Sequence, residues 1–79
     1  SHSSVYQIPL RLYPNPASDQ VYLQTDAEIL SVEAVSLCGQ IYLPGLQGKK
    51  LDISHMPAGM YMLRLYTKQA VLNRKLLVQ

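Results

Sequence analysis

Short runs in which apolar and polar residues alternate with a period of two, punctuated by proline and glycine, constrain this chain more than any other feature. From Gln20 to Thr25, Val21, Leu23 and Thr25 fall on one side and Gln20, Tyr22 and Gln24 on the other. From Met60 to Thr67, Tyr61, Leu63 and Leu65 alternate with Met60, Met62, Arg64 and Tyr66, and Arg64 marks the second set as the outer one. Successive side chains of an extended strand point to opposite faces, so this is the pattern of half-buried strands.

The remaining chain reads the same way. Ile29 to Leu37 carries Leu30, Val32 and Ala34 on one side and Ser31, Glu33 and Val35 on the other, with a bulge or strand end expected near Ser36, because Leu37 falls on the polar side of the count. A helix from Ala27 to Val35 is the competing reading, since Ala27, Glu28 and Leu30 are good helix formers. Cys38-Gly39-Gln40 predicts a tight turn, Ile41 to Leu43 a returning strand that ends at Pro44-Gly45, and Lys50 to Ile53 a short strand carrying Leu51 and Ile53. Met56-Pro57-Ala58-Gly59 is a loop opening the next strand, and Asn73 to Val78 turns Leu76 and Val78 inward. At the front, Val5 to Leu12 is expected as an edge strand, because Pro9 cannot donate to a ladder. About seven short strands at intervals of roughly 8–12 residues predict an all-β, immunoglobulin-like antiparallel β-sandwich.

Composition bounds what such a fold can do. Seventy-nine residues suffice for one core, with 48% hydrophobic and 15% charged residues, too apolar for a disordered tail. Residues 1–4, Ser-His-Ser-Ser, read as a linker or cloning remnant, and residues 5–79 as one domain. The net charge is +2, and four of the seven cations (Arg64, Lys68, Arg74, Lys75) lie in the last sixteen residues. That is far from the dense basic stripe of a nucleic-acid binder, and Trp and Phe are absent as stacking surfaces. Cys38 is the single cysteine, which rules out an internal disulfide and CxxC motifs and leaves a small buried hydrophobe as the expectation. No apolar run is long enough for a membrane helix or a signal-peptide core.

Catalytic and ligand chemistry find little material. Ser54-His55 are adjacent and no carboxylate partner is marked, whereas a nucleophile and its base need a specific hydrogen-bonded geometry. Asp19, Asp26 and Glu28 lack the spacing of a calcium loop. No enzyme activity, cofactor or metal is expected.

Three local sequences, in order, carry a resemblance. The first is Leu12-Tyr13-Pro14-Asn15-Pro16-Ala17-Ser18-Asp19, followed by Val21-Tyr22-Leu23. The second is Val32 to Gln40 around Cys38-Gly39. The third is Leu51-Asp52-Ile53 with Met56-Pro57-Ala58-Gly59-Met60-Tyr61-Met62-Leu63-Arg64-Leu65, followed by Lys75-Leu76-Leu77-Val78. From Leu12 to Val78 the chain resembles the C-terminal sorting domain of type IX (Por) secretion cargo, type A. The family commonly has Asp where Ser36 stands, and a Ser there still accepts a backbone hydrogen bond.

The resemblance implies a non-catalytic export address. It further implies recognition by the outer-membrane translocon and shuttle components, removal by a cell-surface sortase, a cargo domain on the N-terminal side, and passage through periplasm and outer membrane to the cell surface or extracellular space. The motif residues it marks are Tyr13, Pro14, Asn15, Pro16, Ser18, Asp19, Gly39, Pro57, Gly59, Tyr61, Arg64, Lys75, Leu76 and Val78. Read physically, Pro14 and Pro16 hold an extended corner, Asn15 and Asp19 bond backbone N–H groups of that bend, and Tyr13 packs its ring over the core. The terminal strand, with Lys75 and its backbone groups, is the expected recognition surface, and open edges suit strand pairing or swapping between copies. The alternative is an adhesion or carbohydrate-binding β-sandwich, with Tyr22, Tyr42 and Tyr66 lining one face.

Overall fold

The structure, a computed structural model, describes residues 8–79. Eight strands follow one another: β1 (Arg11–Tyr13), β2 (Gln20–Gln24), β3 (Ser31–Ser36), β4 (Ile41–Tyr42), β5 (Gly45–Gln47), β6 (Lys50–Asp52), β7 (Gly59–Tyr66) and β8 (Val71–Val78). They form two four-stranded antiparallel sheets, β1-β2-β6-β5 and β4-β3-β7-β8. With β1 to β8 taken as A, B, C, C′, D, E, F and G, these are the ABED and C′CFG sheets of an immunoglobulin-like sandwich. The region of the competing helix is a strand from Ser31 onward.

The alternation read from the sequence is what the sheets bury. Val21 and Leu23 from β2, Leu51 from β6, Val32 and Ala34 from β3, Tyr61, Leu63 and Leu65 from β7, and Leu76 and Val78 from β8 meet between the sheets, with no polar side chain among the buried residues. Each fully buried Leu, Ile or Val contributes about 1.5–3 kcal/mol relative to exposure, which is the driving force for closing so small a sandwich.

Several boundaries differ from the sequence reading, each for a local reason. Residues 5–7 of the expected first strand lie outside the described residues; the ladder begins only at Arg11, after Pro9. Leu30 is exposed, because β3 starts at Ser31 and Ile29 takes the core position instead. No bulge is needed near Ser36, since the strand ends there and the β3–β7 register runs unbroken from Ser31↔Tyr66 to Ser36↔Tyr61. Leu37 and Cys38 sit exposed at the tip of the β3–β4 turn, so Cys38 is not the buried hydrophobe expected.

Strand β5 was hidden by its punctuation. Pro44-Gly45 reads as the end of the preceding strand, yet Leu46 pairs with Leu51 and Gln47 with Lys50 around a two-residue Gly48-Lys49 turn. Gly48 takes φ +61°, the conformation such hairpins require. The last strand likewise begins two residues early, at Val71, because its hairpin with β7 pairs all eight residues.

Candidate functional site

Part of the motif, Asn15 with its flanking prolines, Gly59, Lys75, Leu76 and Val78, lies around the chain end, and an unexpected bond network ties Asn15 to it. Prolines 14 and 16 have no N–H to give, so the corner after β1 cannot form an ordinary ladder. Asn15 substitutes for the missing peptide groups: its Nδ2 donates to the Lys75 carbonyl at 3.1 Å, and its Oδ1 accepts from the Leu77 N–H at 3.1 Å. One step further, the Ala17 N–H donates to the Leu77 carbonyl at 2.9 Å and the Gln79 N–H to the Ala17 carbonyl at 2.8 Å. Ala17 and Val78 form a parallel bridge.

A carboxamide suits this place because it presents donor and acceptor together, as a peptide does. Asn15 was expected to bond within its own bend; instead it reaches across sixty residues to close the free edge of β8. Against the expectation of a terminal strand offering unpaired backbone groups, the Lys75 carbonyl, the Leu77 N–H and carbonyl and the Gln79 N–H are already bonded within the domain. Upstream, Arg74 lies on the core-facing row of this edge strand and donates from Nη1 to the Asn73 carbonyl at 2.8 Å. With Leu10 and Arg11 it lines an open groove of about 690 Å³ at the seam of the two sheets. An inward-pointing charge on an edge strand is a known device against strand addition.

Leu76 and Val78 are core residues, whereas Lys75 points outward and is exposed. Gly59, with φ +149°, opens β7 opposite Val78, a conformation that L side chains rarely adopt. Just before it, the Pro57 carbonyl accepts the Tyr61 hydroxyl, which stitches the crossing from one sheet to the other in the manner of a tyrosine corner. Burial first, and the neighbouring Tyr42 second, push the Tyr61 hydroxyl above its ordinary value, so it stays a proton donor. Tyr42 meets the Tyr61 ring edge-on, at 5.7 Å between centroids.

Other motif residues stand apart. Arg64 pairs with Glu33 directly across the sheet at 3.4 Å, and Glu33 also accepts the Tyr66 hydroxyl at 2.7 Å. That bond to the carboxylate raises the Tyr66 hydroxyl above its usual range, with desolvation adding to it. Gly39 takes φ +88° in the β3–β4 turn, where the Ser36 hydroxyl accepts the Gln40 N–H at 3.1 Å, the cap anticipated for a Ser at that position. Ser18 and Asp19 are exposed in the bend, and the Asp19 backbone carbonyl accepts the Ile53 N–H.

Tyr13 does not cover the core. It is 48% exposed and stacks on Tyr22, its cross-strand partner, on the outer face of the β1-β2 sheet. The three tyrosines proposed for a common face are divided: Tyr22 lies on one sheet's outer face, Tyr42 packs at the β4 edge, and Tyr66 lies on the other sheet's outer face. Ser54 gives both its N–H, at 3.0 Å, and its hydroxyl, at 2.7 Å, to Asp52 rather than engaging His55. Those two bonds, the N–H first, hold the Asp52 carboxyl below its usual range. Among the described residues no three His, Cys, Asp or Glu side chains come together as a metal site.

Two features of the chain end escaped the sequence reading: the partners of Asn15 and the apolar character of the outer face beside Lys75. The first had a signal, a carboxamide between two residues without an N–H. Comparison with known proteins bears on what this end is for. A protein-family model described as a secretion system C-terminal sorting domain matches residues 11–79, from the first residue of β1 to the last residue of the chain. A search of curated proteins finds no match. A sandwich closed around its last strand, and matched from Arg11 to Gln79 by one family model, is accounted for by that family: the chain belongs to the C-terminal sorting domains of type IX secretion.

Proposed function

We propose that the folded domain is the export address of a cargo protein attached on its N-terminal side, read at the outer-membrane translocon with its shuttle components and afterwards removed by a cell-surface sortase. The observation that carries this reading is the family match over residues 11–79, which spans every strand and both partners of the Asn15 clasp. The site chemistry agrees with it. Asn15 ties the corner after β1 to the chain end, and Ser54 bonds Asp52 rather than His55, which is not the arrangement of a nucleophile with its base.

Truncating residues 75–79 is a poor test, because it removes Leu76 and Val78 from the core as well as the end of the strand. A gain of function is cleaner. A periplasmic reporter given residues 1–79 at its C-terminus, in a cell with type IX secretion, is expected at the cell surface or in the medium. Retention in the periplasm, at the level of the reporter alone, would refute the address reading.

One observation favours a second reading. The stacked pair Tyr13 and Tyr22, with Gln20 donating to the Tyr22 hydroxyl at 3.2 Å, forms an exposed aromatic and amide surface of the kind that packs on sugar rings. Saturable binding on a glycan array, abolished by Tyr22→Ala, would establish it.

A further inference from the structure

The outer face of the β4-β3-β7-β8 sheet is divided into two halves. One is mainly polar: Glu33, Arg64 and Tyr66 are bonded together, with Asn73 opposite Arg64 and the exposed Val71 opposite Tyr66 at its end. The other is apolar. Ile41 pairs with Val35, Val35 with Met62, and Met62 with Lys75, so one row of side chains crosses all four strands; Met60 opposite Leu77 makes the next row. Ile41 is 59% exposed, Met60 39% and Met62 37%, while Val35 and Leu77 are half-buried. A solvated face of an antiparallel sheet ordinarily alternates to polar side chains, so this half is unusual. Contiguous exposed apolar surface of this kind marks interaction sites, and methionine adapts its shape to a partner.

Lys75 is the charge at the rim of the apolar rows. The two ion pairs among the described residues, Arg64 with Glu33 and Lys68 with Glu28, do not use it. A cation beside an apolar patch selects a carboxylate on whatever docks there.

We propose that this half-face, built from Met60, Met62, Val35, Leu77 and Lys75, is the surface through which the address is read, by a partner protein presenting an apolar ridge bordered by a carboxylate. The proposal rests on the export reading above. Strand addition along Lys75–Gln79 is hindered, because Asn15 and Ala17 occupy the Lys75 and Leu77 carbonyls and the Leu77 and Gln79 N–H groups. Recognition at the chain end therefore passes through side chains. Five side chains, with Met60 39% and Met62 37% exposed and Val35 and Leu77 half-buried, fall well short of the roughly 20–30 residues and about 800 Å² per partner of a stable complex. That is too little to hold two copies together and suits a contact that forms and then releases.

The test uses the reporter carrying residues 1–79. Met60→Gln with Met62→Gln, and separately Lys75→Glu, are expected to lower the exported fraction roughly tenfold, the equivalent of 1.4 kcal/mol in recognition. Lys75→Arg and the polar-half variant Asn73→Ala are expected to export as the parent does. Thermal midpoints within a few degrees of the parent's show that the variants fold. If the parent reporter itself stays in the periplasm, the export reading fails. If the parent is exported and the folded Met and Lys75→Glu variants are exported equally well, the docking surface is wrong while the address stands. Self-association of the domain that Met60→Gln/Met62→Gln abolishes, or its binding to anionic lipid vesicles through the same residues, would overturn the choice of a partner protein.

Discussion

The two sides of the sandwich are closed in different ways. On the β1–β8 side, polar bonds between residues sixty and sixty-two positions apart join the Asn15 corner to the chain end, and Arg74 turns a charge into the seam. On the β4–β5 side the only covalent link is Leu43-Pro44, which carries the chain from one sheet to the other, and the nearby side chains are left bare: Leu37 is 85% exposed, Leu43 69% and Ile41 59%. Both sides end in short or blunted edges, which is how sheets avoid pairing with strangers. Only the first side, however, is sealed by contacts between the two ends of the described chain. The fold is therefore completed at the β1–β8 side, where its last residues dock under its first corner.

The two sides differ most in the core. Leu76 is fully buried in β8, and Leu76→Ala is expected to cost about 2–5 kcal/mol, from lost transfer energy and the cavity left behind. Leu46, its counterpart on the other side, is only half-buried in β5, so Leu46→Ala is expected to cost about 1 kcal/mol. Urea unfolding of both variants measures the pair. Equal losses would mean that the two sides share the core evenly and that the asymmetry lies in the surface alone.

The clasp comes next in size. Asn15→Ala removes two exposed bonds, each with a net contribution of about 0.5–1.5 kcal/mol, for a loss of about 1–3 kcal/mol. Asn15→Asp keeps the acceptor for the Leu77 N–H but sets a carboxylate against the Lys75 carbonyl, so it is no rescue despite its shape. Amide hydrogen exchange supplies the sharper readout. The Leu77 N–H should exchange faster in Asn15→Ala with the centre of β7 unchanged, as expected for local rather than global opening. Unchanged protection at Leu77 would show that the Ala17 bonds alone hold the strand.

Much of this was legible in advance, and for a physical reason. Period-two alternation reports burial directly, so Val21, Leu23, Tyr61, Leu63, Leu65, Leu76 and Val78 could be assigned to the core from order alone. What could not be read depends on groups that sequence order separates. Strand β5 is three residues between glycines and becomes a strand only because β6 pairs with it. Tyr13 looked like a core ring until β2 placed Tyr22 beside it on the outer face. Asn15 looked like a turn former, which is the local reading of any Asn between prolines, and its partners lie at the opposite end of the chain. The outer apolar half-face emerges only when four strands are set in register, since no single strand carries more than two of its members.

The smallest expected effect is on the bare side, and it separates exposure from function there. Leu43→Ser and Leu37→Ser replace side chains that are 69% and 85% exposed, and each is expected to change stability by no more than about 0.5 kcal/mol. Ile41 belongs to the same edge but also begins the row that ends at Lys75, so Ile41→Thr is the discriminating member of the set. Threonine keeps the β-branched shape suited to a strand and removes apolar contact, so the thermal midpoint should barely move. If export falls with Ile41→Thr while Leu43→Ser is silent, the functional surface runs across the whole sheet from its bare edge to its clasped one. If neither variant changes export, the surface that matters stops short of β4, and the two sides differ in function as sharply as they do in closure.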